Sequence, residues 1–262
     1  MDFEAIIYEK DKNGIAKIVI NRPEVRNALN IAVRQDIKKA IARINQDKDV
    51  RVVIITGAGE KAFVSGADLT YFNVGTPMII EEYANDLGQQ LYNDIENIKV
   101  PVIAMINGVC FGGGLELAMC CDIRIASTAA KFGQLEINVG LMPGGGATQR
   151  LPHLVGWGRA KELIYTGRII DAEEAERIGL VDKTVPPDRL EEEIKQLAQT
   201  IASKSPVIIR LAKQAVNRGM YTDLASGLAF ERESFALCFA TEDQKEGTSA
   251  FLEKRQAKFK GK

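Results

Sequence analysis

Residues 100–119 read VPVIAMINGVCFGGGLELAM. The first part is a short apolar run opened by Pro101, which suits a buried strand, and the last part is a run of Leu, Ala and Met that suits a helix. Between them stand Gly112, Gly113 and Gly114, a residue type used where backbone must turn tightly or approach a ligand. The stretch therefore reads as strand, tight turn, helix, with the glycines at a helix N-terminus whose free N–H groups point outward. It lacks the lysine and hydroxyl of a phosphate loop and the GxGxxG spacing of a dinucleotide fold, so neither reading applies. Glu116 falls in the first turn of that helix. The macrodipole favours a carboxylate there by about 0.3 to 1 kcal/mol, yet Leu117, Ala118, Met119, Cys120 and Cys121 leave the helix no polar face. A carboxylate in such surroundings is costly unless paired, and its pKa rises toward the range that serves proton transfer.

The same grammar extends outward on both sides. IAKIVIN (15–21) and VRVVIITG (50–57) read as strands, and IAVRQDIKKAIARINQ (31–46) between them reads as a helix. In that helix Val33, Ile37, Ile41 and Ile44 form one apolar stripe, with lysine and arginine assigned to the other side. A second helix is expected to carry Tyr83, Leu87, Leu91, Ile95 and Ile98 on one face and to be ended by Val100 and Pro101. IRIAS (123–127) supplies a further strand. After about residue 150 strand signals fade and helical ones dominate, in 158–167, 171–180, 188–203 and 205–219. Segment 222–240 has apolar residues on two faces, Leu224, Leu228, Phe235 and Phe239 on one and Phe230 and Leu237 on another. That is more than a monomer's surface helix requires, so a partner is expected to cover it.

Composition narrows the function classes. The chain has 262 residues, 46% hydrophobic and 26% charged, enough for a sizeable core and against disorder. A net charge of −1 supplies no basic field for nucleic acid or an anionic membrane, and no basic stripe with interleaved aromatics occurs. Cys110, Cys120, Cys121 and Cys238 form no CxxC pair and lie in apolar stretches, which suits core positions in a reducing compartment. A single histidine, His153 in LPHLVG, excludes a His-rich metal site and reads as structural. The N-terminus has no apolar run long enough for a signal or a membrane span, so a cytoplasmic protein is expected.

Two more stretches carry chemistry. In KFGQLEINVGLMPGGGATQR (131–150) Glu136 stands between Leu135 and Ile137, close to Gly144, Gly145 and Gly146. Two glutamates in apolar settings, each near a glycine turn, can divide acid and base work, although glycosidases also use such pairs and the pair alone does not choose a reaction. In GEKAFVSGADL (59–69) Gly66 permits an unusual turn that exposes the Ala67 N–H, and Asp68 suits a helix N-cap. Ser65 has no GxSxG context and reads as structural.

INRPEVRNALN (20–30), KAFVSGADL (61–69), residues 106–127, FGQLEINVGLMPGGGATQRL (132–151) and FLEKRQAKFKGK (251–262) together resemble the enoyl-CoA hydratase/isomerase family, the crotonase superfamily, over nearly the whole chain. The resemblance implies an α/β fold, a crotonase-like spiral of repeated ββα units over 1–200 with a CoA-thioester site. A helical C-terminal oligomerisation region would follow over 201–262, in a homotrimer or a homohexamer built as a dimer of trimers. It implies that the N–H groups of Ala67 and Gly113 form an oxyanion hole and that Glu116 and Glu136 are the catalytic glutamates. By the same similarity Val25 and Arg26 lie along the CoA channel, Phe235 and Lys254 reach the adenine end, and Asp68, Leu69 and Gly144 contact substrate. Tyr71, Phe72 and Met142 would close the acyl pocket.

The implied activity is reversible addition of water to a short- or medium-chain 2-enoyl-CoA. No metal or separate cofactor is expected, because coenzyme A is part of the substrate. One departure concerns Leu135, where many hydratases carry proline; it bears on the acyl pocket. A Δ3-Δ2 enoyl-CoA isomerase or another acyl-CoA enzyme of the same fold is the alternative, and an RNA- or CoA-binding homologue is the alternative from a different class. Two retained glutamates favour hydration over a single-base reaction.

Overall fold

The computed structural model describes residues 3–73 and 75–262. An antiparallel pair, β1 (Ile6–Lys10) and β2 (Ile15–Ile20), leads into helix α1 (Ile31–Gln46), whose start is fixed by the Asn30 side chain accepting from the Val33 N–H. Each later turn of chain lays one strand in a first sheet and a short one in a second before helices return it. The second turn is β3 (Val52–Gly57) and β4 (Ala62–Val64), then α2 (Leu69–Phe72), α3 (Pro77–Asp86) and α4 (Gln89–Glu96). The third is β5 (Val102–Ile106), β6 (Val109–Phe111) and α5 (Gly113–Met119). The fourth is β7 (Ile123–Ser127) and β8 (Lys131–Gly133), a 3₁₀ turn at Glu136–Val139, then α6 (Ala147–Val155) and α7 (Trp157–Thr166). β9 (Ile170–Asp171), α8 (Ala172–Arg177), β10 (Lys183–Val185) and α9 (Leu190–Ala202) follow, and α10 (Pro206–Met220), α11 (Leu224–Cys238) and α12 (Glu242–Leu252) end the chain.

The first sheet has the order β1-β2-β3-β5-β7-β10 and is parallel from β2 onward. The second runs β4-β6-β8-β9, with only β9 antiparallel. This is the spiral of ββα units expected from the sequence. Strand β3 shows why its sequence is apolar throughout. Val53 and Ile55 face one core with α1, α4 and α5, while Val52 and Ile54 face a second core closed by Leu190, Ile194 and Ala198 of α9. A parallel sheet covered on both faces needs this continuous run rather than an alternating one.

Three expectations need correction. On α1, Arg34 is not opposite the apolar stripe but buried, 3% exposed, and beside it the buried Asp36 accepts from the Glu4 and Ala5 N–H groups. The single helix expected over 83–98 is two helices, broken at Leu87 and Gly88, and Ile98 is buried beyond the end of α4. Two strands, β9 and β10, lie in the region read as helical; with two and three residues they are too short to show alternation.

The C-terminal helices dock through polar contacts. Lys213 Nζ donates to the Val100 carbonyl at 3.1 Å and to Asp122 at 2.8 Å. The buried Asp243 accepts from Ser205, Lys260 and Gly261, which ties the last residues back to the start of α10. Their outer surface stays apolar: Leu224, Phe235 and Phe251 are 78%, 65% and 83% exposed.

Candidate active site

Strand β6 ends where Gly112 takes φ 48° and ψ −122°, a conformation that a side chain resists. A Cβ there would also stand 3.0 Å from Glu136 Oε1. The turn starts α5 abruptly: Gly112 donates to the Gly133 carbonyl at 2.9 Å and its own carbonyl accepts from Glu116 at 3.0 Å. The Gly113 N–H then occupies the first helical position, where no intrahelical acceptor exists.

Ala67 faces this helix start from a parallel bridge with Leu29. Leu29 N–H donates to the Gly66 carbonyl and Asp68 N–H donates to the Leu29 carbonyl, at 2.9 and 3.0 Å. The intervening Ala67 N–H therefore turns the other way. It lies 3.5 Å from where a Cβ on Gly113 would stand, so the two donors sit side by side. Such a pair suits an oxygen that gathers negative charge.

Glu116 is 4% exposed, one helical turn from these donors. Its Oε1 accepts from the Gly145 N–H at 2.7 Å and the Ala147 N–H at 3.1 Å. Gly145 must be glycine for this approach, since a Cβ would fall 2.2 Å from Tyr92 Cε2 and 2.5 Å from Glu116 Oε2. Burial raises the Glu116 pKa, opposed by those two N–H groups and by the charges of Arg34 and Arg150. Glu136 opens the 3₁₀ turn, and its buried Oε2 has no hydrogen-bond partner among the described residues. Burial and the Glu116 charge push its pKa up to about 7. The two carboxylates thus differ in their partners: Glu116 accepts from two backbone N–H groups, whereas the Glu136 Oε2 has no partner among the described residues and its pKa stands near neutrality.

Both line one cavity of about 470 Å³, together with Ala67, Gly113, Leu69 and Gly144. Phe72, Met142, Ser65 and Leu135, the departure from proline, also line it. Tyr71 does not; it packs on Phe72 and Tyr83 with ring centroids 5.9 and 5.2 Å away, beside a neighbouring cleft. Asp68 lines that cleft too, and its carboxylate is occupied in capping α2 through Thr70 and in an ion pair with Arg22 at 3.6 Å.

The Val25 and Arg26 side chains are exposed outside the cavity, joined to its rim by the Ser65 N–H donating to the Arg26 carbonyl. Phe235, on α11, and Lys254, just past α12, are exposed and do not line it. His153 is exposed outside the site, its ring tilted to Trp157 and edge-on to Tyr221.

A larger cleft of about 850 Å³ lies beyond Gly145, between α4, α6 and α10. It contains neither Glu116 nor Glu136, and its Arg150 is already paired with Glu96 at 2.6 Å, so the smaller cavity is the candidate site.

Sequence reasoning missed Arg34 and Tyr92, which both line the cavity that holds Glu116 and Glu136. Arg34 stands three residues before Ile37 and seven before Ile41, on the buried stripe, and that spacing was the available signal. The Tyr92 hydroxyl donates to the Gly113 carbonyl at 2.9 Å.

A sequence model described as enoyl-CoA hydratase/isomerase matches residues 10–262. A crotonyl-CoA hydratase of Syntrophomonas wolfei is 50% identical over 259 residues, covering 99% of each chain. A short-chain-enoyl-CoA hydratase of Clostridium acetobutylicum is 47% identical over 256 residues, covering 98% of this chain and 97% of that one. The crystal structure of an enoyl-CoA hydratase from Bacillus anthracis superposes with a TM-score of 0.94 at 42% identity, over 99% of this chain and all of that one.

Proposed function

The chain belongs to the enoyl-CoA hydratase/isomerase family, and from that membership we propose that it is a hydro-lyase adding water reversibly to a short-chain 2-enoyl-CoA. The observation that carries this reading is the pairing of two unlike carboxylates with two converging N–H donors in one cavity. The Ala67 and Gly113 N–H groups hold the thioester oxygen and stabilise the charge that gathers there as water attacks C3. Each such donor is worth about 2.7 to 4 kcal/mol in the transition state. Glu116 acts as the base that takes a proton from the attacking water, and Glu136 acts as the acid that delivers one to C2. The pair then exchanges one proton to reset, and the reverse sequence dehydrates a 3-hydroxyacyl-CoA. The reaction forms a C3–O and a C2–H bond as the π bond and a water O–H bond break, with no net oxidation or reduction, so the reading calls for no metal or redox group.

The names of the relatives support the short-chain assignment. Val25 and Arg26, at the rim beside Ser65, would follow the CoA moiety outward, with Phe235 and Lys254 meeting its adenine end across a subunit boundary. The exposed apolar surface of α11 and α12 supports residues 201–262 as the oligomerisation region of a trimer or hexamer. Four free cysteines, three of them buried, suit a reducing cytoplasm, and no described helix is long and apolar enough to cross a membrane.

The test is a panel of 2-enoyl-CoA and 3-hydroxyacyl-CoA thioesters with mass spectrometry for gain or loss of water, repeated with a chelator. Gain of water by a short 2-enoyl-CoA is expected, with or without the chelator. A double-bond shift without change of mass would replace the reading by the isomerase.

A further inference from the structure

The Arg34 guanidinium is 3% exposed, yet no carboxylate among the described residues forms an ion pair with it. Its Nη1 donates to the Leu87 carbonyl at 2.9 Å and its Nη2 to the Tyr92 hydroxyl at 3.3 Å, while its Nε has no partner among the described residues. The guanidinium also stands over the rings of Tyr83 and Tyr92, 5.3 and 5.4 Å from their centroids. The Leu87 carbonyl is available because the chain breaks there between α3 and α4. A buried, unpaired cation is expensive, and well-packed apolar residues would serve stability better.

The anion-binding groups of the site explain why a charge stands here. A Cβ on Gly113 would lie 3.1 Å from Tyr92 Oη and 3.6 Å from Arg34 Nη2, so both side chains back the oxyanion donor. Arg34, the Tyr92 hydroxyl and the Gly113 carbonyl form one hydrogen-bonded chain in which each donor polarises the next. Around Glu116 the charged and titratable groups are Arg34 from α1, Tyr83 from α3, Tyr92 from α4, Cys120 from α5, Glu136 from the 3₁₀ turn and Arg150 from α6. Of the two cations, Arg150 is engaged by Glu96, whereas Arg34 has no such partner.

We propose that Arg34 and Tyr92 are positioning residues for hydration: Arg34 places a fixed positive charge behind Glu116 and the oxyanion hole, and Tyr92 locks the Gly113 peptide through its hydroxyl. This rests on the hydratase reading above. Burial keeps the Tyr92 phenol neutral by raising its pKa, so it remains a donor. Arg34 lowers the Glu116 pKa against burial, so loss of its charge shifts the ionisation of the base upward in pH.

The experiment compares Arg34→Gln, Arg34→Lys and Tyr92→Phe with the wild type, reading kcat, KM and the pH profile of hydration. Melting curves and the affinity for inert butyryl-CoA report the fold. Arg34→Gln should lower kcat about 100-fold and move the acid limb up by about one pH unit, and Arg34→Lys should restore the limb and much of the rate. Tyr92→Phe should lower kcat about 10-fold, with KM and the limb unchanged, because it removes one hydrogen bond and no charge. Equal rates and limbs in the Gln and Lys variants would overturn the proposal, as would wild-type kcat in Tyr92→Phe. If Arg34→Gln does not fold, Tyr92→Phe decides by the same criterion. A wild type that hydrates no 2-enoyl-CoA defeats the hydratase reading instead, so the two failures are distinct.

Discussion

Replacing Glu136 by Gln should make the protein slower and more stable at once, and the gain in stability should depend on pH. The pKa of Glu136 stands at about 7 against an ordinary 4.5, because burial and the neighbouring Glu116 charge disfavour its ionised form. The folded chain therefore keeps this proton to a higher pH than the unfolded chain does. Stability is lost as pH rises from 4.5 through 7, and the full penalty applies above that range. At about 1.4 kcal/mol per pH unit, that penalty is about 3 kcal/mol.

Gln cannot ionise and matches the volume, so it removes the penalty. Urea unfolding at fixed protein concentration should show the variant more stable by about 3 kcal/mol near pH 8.5 and by less than about 1 kcal/mol near pH 5. Its kcat for hydration should meanwhile fall by about 10² to 10⁴, the usual worth of a positioned general acid. An equal stability gap at both pH values, or a variant less stable at the higher one, would refute the assignment of the raised pKa to Glu136.

Glu116→Gln should cost several orders of magnitude in kcat while leaving the affinity for butyryl-CoA intact, and the double Gln variant should lose no more than the worse single one, since the pair acts as a unit. Gly145→Ala should lower kcat at least about 100-fold, because its Cβ displaces Tyr92 or Glu116; wild-type turnover would show that the Gly145 contact does not position the base. Gln134→Met should be neutral or stabilise by about 1 kcal/mol or more, because both amide atoms of this 1% exposed side chain are unpaired among the described residues; a loss measured by denaturation would contradict that. Leu228→Glu with Phe235→Glu should reduce the mass in sedimentation to that of one chain, and an unchanged mass would place the interface elsewhere.

Much of the architecture was legible because its causes are local. Helix α1 begins and ends as read, since Asn30 caps it and its stripe repeats at helical spacing. The strand–turn–helix of 100–119 also stands, since three glycines leave little else for the backbone to do there. The break at Gly88 was not legible. It depends on a close approach, a Cβ there lying 2.7 Å from the Ala84 Cα, and on the Leu87 carbonyl being used by an arginine 53 residues earlier. Short strands β9 and β10 escaped because they exist only through pairing with β8 and β7.

The site divides along the same line. The candidate residues Glu116 and Gly113 were legible in the chain alone, because a lone glutamate in an apolar helix and a glycine turn beside it are short-range features. Their surroundings come from the packing of distant segments. Glu116 accepts from N–H groups 29 and 31 residues away, Glu136 has its pKa pushed up to about 7, and Arg34 is turned inward against its charge class. Desolvation and Coulomb forces act through space, so the protonation states and the aim of the donors exist only once distant segments pack around one cavity.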